Sequence, residues 1–282
     1  MHSIQNMIIE KLPEYSPNQK KLANFIIENL QTIPLLSVNQ VSERAGVSTA
    51  TIVRFSKILG FQGYLDLRNK LADILKEQLS PLEKYRKTIS QKDDYRNPLE
   101  IVAQTVIGNI DFCLEQNTLQ EFKHISKHVR RAQNIFCLGM GISHYLAEIM
   151  SYLLKLYMKK AFALSSDSPS FPEQIILMNP KDLLIVFSFP PYSKQTVEAA
   201  ELAKDSNITV ISFADKKTAP VVEFSEHVLV AKTDNILFTN SLGSIAVLMN
   251  ALVTDLALSE ENEVITGLKK IDKYLNDPRY FY

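Results

Sequence analysis

Cysteine is almost absent: 282 residues contain two, Cys113 and Cys137. Two thiols cannot build a disulfide framework, and Cys137 falls in an apolar, strand-like run where a buried thiol is expected. Long apolar stretches are also missing. None approaches the roughly 20 residues needed to span a bilayer. The N-terminal run MHSIQNMIIEKLPEYSP has neither the basic start nor the apolar stretch of a secretion signal, so a cytoplasmic protein with no membrane partner is expected. Net charge is missing too, with 31 Lys+Arg against 31 Asp+Glu. That balance alone argues against nucleic acid, but it is uneven along the chain. Residues 1–90 hold 12 basic and 8 acidic groups, a net of +4, and the other 192 hold 19 and 23, a net of −4.

The length suffices for two domains with separate cores, and 46% apolar residues is ordinary for globular proteins. Within the basic portion, Val38 to Gly63 reads VNQVSERAGVSTATIVRFSKILGFQG. Val41 and Ala45 share a helix face, Gly46 suits a left-handed C-cap, and Ser48 can cap the next helix. This is a helix-turn-helix pattern. On the second helix Ile52, Phe55, Ser56 and Leu59 fall in one arc, with Ala50, Thr51, Arg54 and Lys57 opposite. Hydroxyls at Ser48, Thr49 and Thr51, followed by Arg54 and Lys57, are the groups that fix phosphates and read base edges in a major groove. Arg68, on the next helix, can reach the phosphate backbone. A short polar helix with a capping serine also fits an ordinary solvated surface.

The run Val47, Ser48, Ala50, Thr51, Ile52, Val53, Arg54, Phe55, Leu59, Gly60, Phe61, Gly63, Tyr64, Leu67, Arg68 resembles the N-terminal domain of RpiR-type bacterial transcription regulators. The resemblance implies an operator-DNA partner.

Taken in order, helices are expected over Ile4–Leu12, Gln19–Asn29, the two of the motif, and Tyr64–Leu79. The stretch 80–97, with Pro81, Pro98 and the polar run SQKDDYRNP, is expected to be a linker between a helix-turn-helix domain at 1–79 and a second domain at 98–282. After helices over Leu99–Glu115 and Leu119–Arg131, a βα rhythm begins. NIFCLGM, KKAFAL, DLLIVFSF, NITVISF and HVLVA read as five strands, separated by helices that include His144–Met158 and Lys194–Ser206. Continuous apolar strands with helical crossovers predict a parallel five-stranded sheet covered on both faces, with ligands at the C-terminal strand ends. The fold class expected is therefore an all-α domain joined to an α/β domain.

Those strand ends hold Gly139-Met140-Gly141-Ile142-Ser143, then Ser165-Ser166, then Ser188-Phe189-Pro190-Pro191-Tyr192-Ser193. Glycines let the backbone approach an anion, and hydroxyls at helix starts donate to it. Each serine can equally be a simple cap. A dinucleotide fingerprint is incomplete, because His144 stands where the third glycine belongs and no acidic residue ends the second strand. No cofactor is expected.

Residues from about 125 to 260 resemble a sugar isomerase (SIS) domain, the flavodoxin-like phosphosugar-binding module that RpiR-type regulators carry behind their DNA-binding domain. The resemblance implies a phosphosugar effector held by Gly139, Gly141, Ser143, Ser165, Ser166, Ser188, Tyr192 and Ser193. The usual SxSGxT of the third loop is replaced by a Pro-Pro-Tyr version, which leaves open whether Ser193 or Thr196 takes the threonine's place. The same fold supports sugar-phosphate isomerases, which need a general base. His144, Glu173 and Asp215 are the candidates in the strand-end loops, and they form no recognisable acid–base set, so a regulator is expected and an enzyme is not. A palindromic operator needs two recognition helices about 34 Å apart, so a homodimer or dimer of dimers is expected. The apolar helix Leu242–Leu258 is a candidate for either its surface or the core.

Overall fold

A computed structural model describes residues 2–276 and 279, apart from residues 31, 80, 92–96, 157–159, 166, 168 and 260. The chain divides into two compact units, Met1–Lys92 and Asp93–Tyr282.

The first unit is helical: α1 (His2–Glu10), α2 (Pro17–Glu28), α3 (Val38–Ala45), α4 (Thr49–Ile58), α5 (Tyr64–Leu79) and α6 (Pro81–Ser90). Its boundaries are written in short-range chemistry. Ser16 and Gln19 cap α2 reciprocally, with Pro17 in the first turn, and Ser37 and Gln40 repeat the device on α3. One such cap contributes about 1 kcal/mol. Leu22, Ile26, Val41, Ile52, Phe55 and Leu67 meet in one buried cluster. Burying each of those side chains is worth about 1.5–3 kcal/mol, which holds helices individually too short to persist in water. The Tyr64 phenol donates to the carbonyls of Leu36 (2.9 Å) and Ile33 (3.3 Å), tying α5 to the turn before α3. Burial pushes its pKa up to about 12.

Within the expected linker, residues 81–90 are helical. Pro81 ends α5 and opens α6, where proline's fixed φ and missing N–H cost nothing in the first turn.

The second unit opens with α7 (Pro98–Gln116) and α8 (Leu119–Arg131), followed by β1 (Ile135–Gly139), α9 (Ile142–Leu156), β2 (Ala161–Ala163), α10 (Phe171–Ile176), β3 (Leu183–Ser188), α11 (Lys194–Asp205), β4 (Thr209–Ala214), β5 (His227–Val230), α12 (Gly243–Ser259) and α13 (Glu261–Leu275). All five strands are parallel, in the order β2-β1-β3-β4-β5. β3 and β4 are buried almost throughout, as expected of central strands covered on both faces. One face, with Ile185, Phe187, Ile211 and Phe213, packs on α8, α9 and α12. The other, with Leu184, Val186 and Val210, packs on α10 and α11. From β1 the chain passes through α9 to β2 on one side, then crosses back through α10 to β3 on the other side of β1, and β4 and β5 follow outward from there, so the crevice between the C-terminal ends of β1 and β3 is the switch point of the sheet.

The helix considered as a subunit surface, α12, is core. Ile245, Leu248, Met249, Leu252, Val253 and Leu256 are all buried within this unit. Its apolar character is spent on its own sheet.

Candidate functional site

In the helical unit, Gly46 takes φ +61°, and the Gly46 and Val47 amides turn back onto α3 carbonyls. The Ser42 hydroxyl donates to the Val47 carbonyl at 2.6 Å, closing the corner. Ser48 starts α4. Its oxygen accepts from the Thr51 amide at 3.2 Å and lies 2.9 Å from the Thr51 hydroxyl. Ile52, Phe55, Ser56 and Leu59 are buried; Ser48, Thr49, Ala50, Arg54 and Lys57 are exposed and Thr51 partly so. The Arg54 Nε reaches back to the Ala50 carbonyl at 3.3 Å, which lays the guanidinium along the exposed face of α4. Arg68 is on α5, half-buried, one turn after Tyr64. The predicted residues thus split into a capping pair, Ser48 and Thr51, and an outward set, Thr49, Arg54 and Lys57.

In the α/β unit, a cavity of about 340 Å³ opens at the switch point. Its walls are the loop after β1 (Met140, Gly141) running into α9 (Ile142, Ser143), the end of β3 with the following loop (Ser188, Phe189, Pro190, Pro191), the start of α11 (Ser193, Thr196), and Asn240. Two helix N-termini border it, bringing two positive dipole ends to one place. Among its described lining residues none carries a charge. The Ser188 oxygen is buried and has no hydrogen-bond partner among the described residues. Leaving such a group unpaired costs about 1–3 kcal/mol, and a ligand acceptor in the cavity would remove that cost. Gly141 has φ +59°, a conformation that glycine adopts without penalty.

Of the eight residues expected to hold a ligand, Gly141, Ser143, Ser188 and Ser193 line this cavity. Gly139, Ser165 and Tyr192 do not line it. Gly139 lies behind it, where the start of α9 packs so closely that a Cβ would fall 2.5 Å from the Ser143 carbonyl carbon. Ser165 sits in the loop after β2, bonded to Asp167 at 3.2 Å. Ser166 lies outside the described residues. Tyr192 turns away: its phenol donates to Asp215 at 2.6 Å, bridging the loops after β3 and β4. Burial and the neighbouring carboxylate raise the Tyr192 pKa, and burial raises that of Asp215. Ser193 caps α11 by accepting from the Thr196 amide at 3.4 Å.

Asn240 escaped the sequence reading. Its amide donates to the Pro190 carbonyl at 2.8 Å from a loop 50 residues away, with no periodicity to mark it. The three candidate bases are engaged elsewhere. Glu173 caps α10 through Ser170, which lowers its pKa; Asp215 holds Tyr192; His144 lies 3.6 Å from Glu148 on α9.

Comparison with known proteins matches the helix-turn-helix domain model of the rpiR family to residues 2–78 and the SIS domain model to residues 128–255. The two units together define a class: a helix-turn-helix domain followed by a SIS domain. The chain belongs to the RpiR-type transcription regulators. A Bacillus subtilis HTH-type transcriptional regulator, YbbH, is 25% identical over 271 residues, 93% of this chain and 91% of that one. An HTH-type regulator of Haemophilus influenzae is 24% identical, covering 81% of this chain and 79% of its own length. Among solved structures, the Vibrio vulnificus NanR protein complexed with ManNAc-6P superposes with TM-score 0.63 at 20% identity, over 97% of this chain and all of that one. The sugar isomerase domain of an RpiR transcription factor from Sphaerobacter thermophilus gives 0.60 at 22% identity, over 63% of this chain and 99% of that one. These likenesses establish the fold. No single helix among the described residues is long and apolar enough to cross a membrane.

Proposed function

We propose that the chain is a cytoplasmic DNA-binding regulator whose affinity for an operator is controlled by a phosphorylated sugar in the SIS cavity, in the service of sugar or amino-sugar catabolism. The observation that carries this reading is the buried, unpaired Ser188 hydroxyl beside two helix N-termini in a cavity with no charged wall. Hydroxyls and helix dipoles suit a phosphate dianion, and Asn240 and Thr196 add polar groups for sugar hydroxyls. NanR, of the same fold, is seen with a phosphorylated amino sugar, ManNAc-6P, which supports the ligand class. The exposed face of α4, with Thr49, Arg54 and Lys57, is the proposed DNA contact, and Arg68 a phosphate contact.

The competing reading, a sugar-phosphate isomerase, requires a base beside the substrate carbon. The described walls of the cavity offer none. With α12 committed to the core, a second copy of the chain finds an apolar stripe on α9, where Ile142, Tyr145, Ile149 and Tyr152 stay exposed at helical spacing. A homodimer across that face supplies the two recognition helices that a palindromic operator needs. A panel of phosphosugars screened for thermal stabilisation tests the ligand class. Stabilisation by a phosphosugar and not by the unphosphorylated sugar is expected, and turnover of any panel member to its isomer would favour the enzyme.

A further inference from the structure

Three of the five histidines gather at the end of the sheet opposite the cavity. His227 begins β5, Glu226 precedes it, and His128 lies in the last turn of α8. The His128 Nε2 is 3.4 Å and the His227 Nε2 3.9 Å from one Glu226 carboxylate oxygen. One ligand atom from each of the three residues falls within 4.8 Å of the others. Ligands at about 2.0–2.1 Å around a tetrahedral zinc ion lie some 3.3 Å apart, so small side-chain adjustments bring the three onto one ion. Two further observations point to a ligand. The His227 Nε2 is shut off from solvent and has no hydrogen-bond partner among the described residues. The second Glu226 oxygen is engaged by the Thr209 hydroxyl at 3.4 Å, while the first faces the imidazoles, the outer-shell arrangement that orients a ligating carboxylate.

We propose that His128, Glu226 and His227 form a divalent transition-metal site, with zinc as the fitting ion. Two imidazoles and a carboxylate are a common zinc donor set that leaves a fourth position open. His124, one turn before His128 on α8, has its ring 6.3 Å from that of His227 and can approach the fourth position. The ion would clamp the end of α8 to the start of β5, which a zinc-dependent gain in thermal stability reports.

The test uses the full-length chain without a histidine tag, titrated calorimetrically with Zn²⁺ alone, with Co²⁺ absorption reporting coordination. One ion per chain is expected, in a low-symmetry, low-coordinate cobalt spectrum. His128→Ala, a replacement at a partly exposed position, and Glu226→Gln should each weaken binding by about tenfold or more, and His227→Ala likewise. His144→Ala and Ser188→Ala should leave it unchanged, which separates this site from the sugar cavity. Failure to bind zinc overturns the proposal. So does binding that survives His128→Ala and Glu226→Gln in chains whose circular dichroism is native, or binding abolished by His144→Ala.

Discussion

Replacing Ser188 by alanine separates a ligand-binding hydroxyl from a structural one, because the two roles move stability in opposite directions. The oxygen is buried at the end of β3 and has no hydrogen-bond partner among the described residues. Its removal abolishes a desolvation cost of about 1–3 kcal/mol and leaves a space no larger than one oxygen atom. The unliganded variant should therefore be as stable as the parent or more so, by up to about 1–2 kcal/mol once the lost packing is allowed for. Ligand affinity should fall. A hydrogen bond to a phosphate dianion contributes about 1.5–3 kcal/mol, and each 1.4 kcal/mol is tenfold, so Kd should rise by about 10- to 150-fold. Urea unfolding of the free protein gives the first quantity; calorimetric titration with the best phosphosugar from the panel gives the second. A variant destabilised by more than 1 kcal/mol with unchanged affinity would show that the hydroxyl serves the fold and that the phosphate is held elsewhere.

Gly139→Ala should be destabilising by about 1–3 kcal/mol in urea unfolding, since the added methyl meets the Ser143 backbone and forces α9 away from β1. Arg54→Ala should weaken specific DNA binding in a mobility-shift titration by about 1–3 kcal/mol while phosphosugar affinity stays the same; an unchanged shift would remove α4 as the reading helix. Tyr64 carries a pH dependence. Its folded pKa, pushed up to about 12 by burial, lies above the ordinary 10, so its contribution is intact below pH 10 and is lost as pH rises through about 12. Unfolding free energy measured from pH 9 to 12 should fall more steeply in the parent than in Tyr64→Phe, by about 2–3 kcal/mol over the window.

Local chemistry explains which parts of this molecule can be read in advance. The corner between α3 and α4 needs only Gly46 at a left-handed position, Ser48 as a cap and apolar residues at helical spacing, all within 20 residues, and α5 runs over the residues its periodicity predicts. The strands are legible because buried parallel strands are continuous apolar runs. α6 hides behind Ser80-Pro81, where proline signals both the stop of one helix and the start of another. α10 is six residues in a serine-rich stretch, too short for a period to show. α12 is apolar on nearly every side, a pattern that does not say whether its partner is its own sheet or another subunit. In the cavity, Gly141, Ser143, Ser188 and Ser193 are marked by strand ends and caps. Asn240 and the Tyr192–Asp215 pair depend on loops brought together from distant parts of the chain, and no spacing rule reaches them.

If a phosphosugar and operator DNA are coupled through this one chain, linkage makes that coupling measurable in both directions. Operator DNA selected from a genomic pool is titrated with and without the phosphosugar, and the phosphosugar is titrated with and without that DNA. Coupling predicts the same factor from each direction, about 5- to 150-fold for a typical allosteric protein, and no shift of DNA affinity in Ser188→Ala at sugar concentrations that saturate the parent alone. A phosphosugar that binds tightly and leaves DNA affinity unchanged would contradict the account.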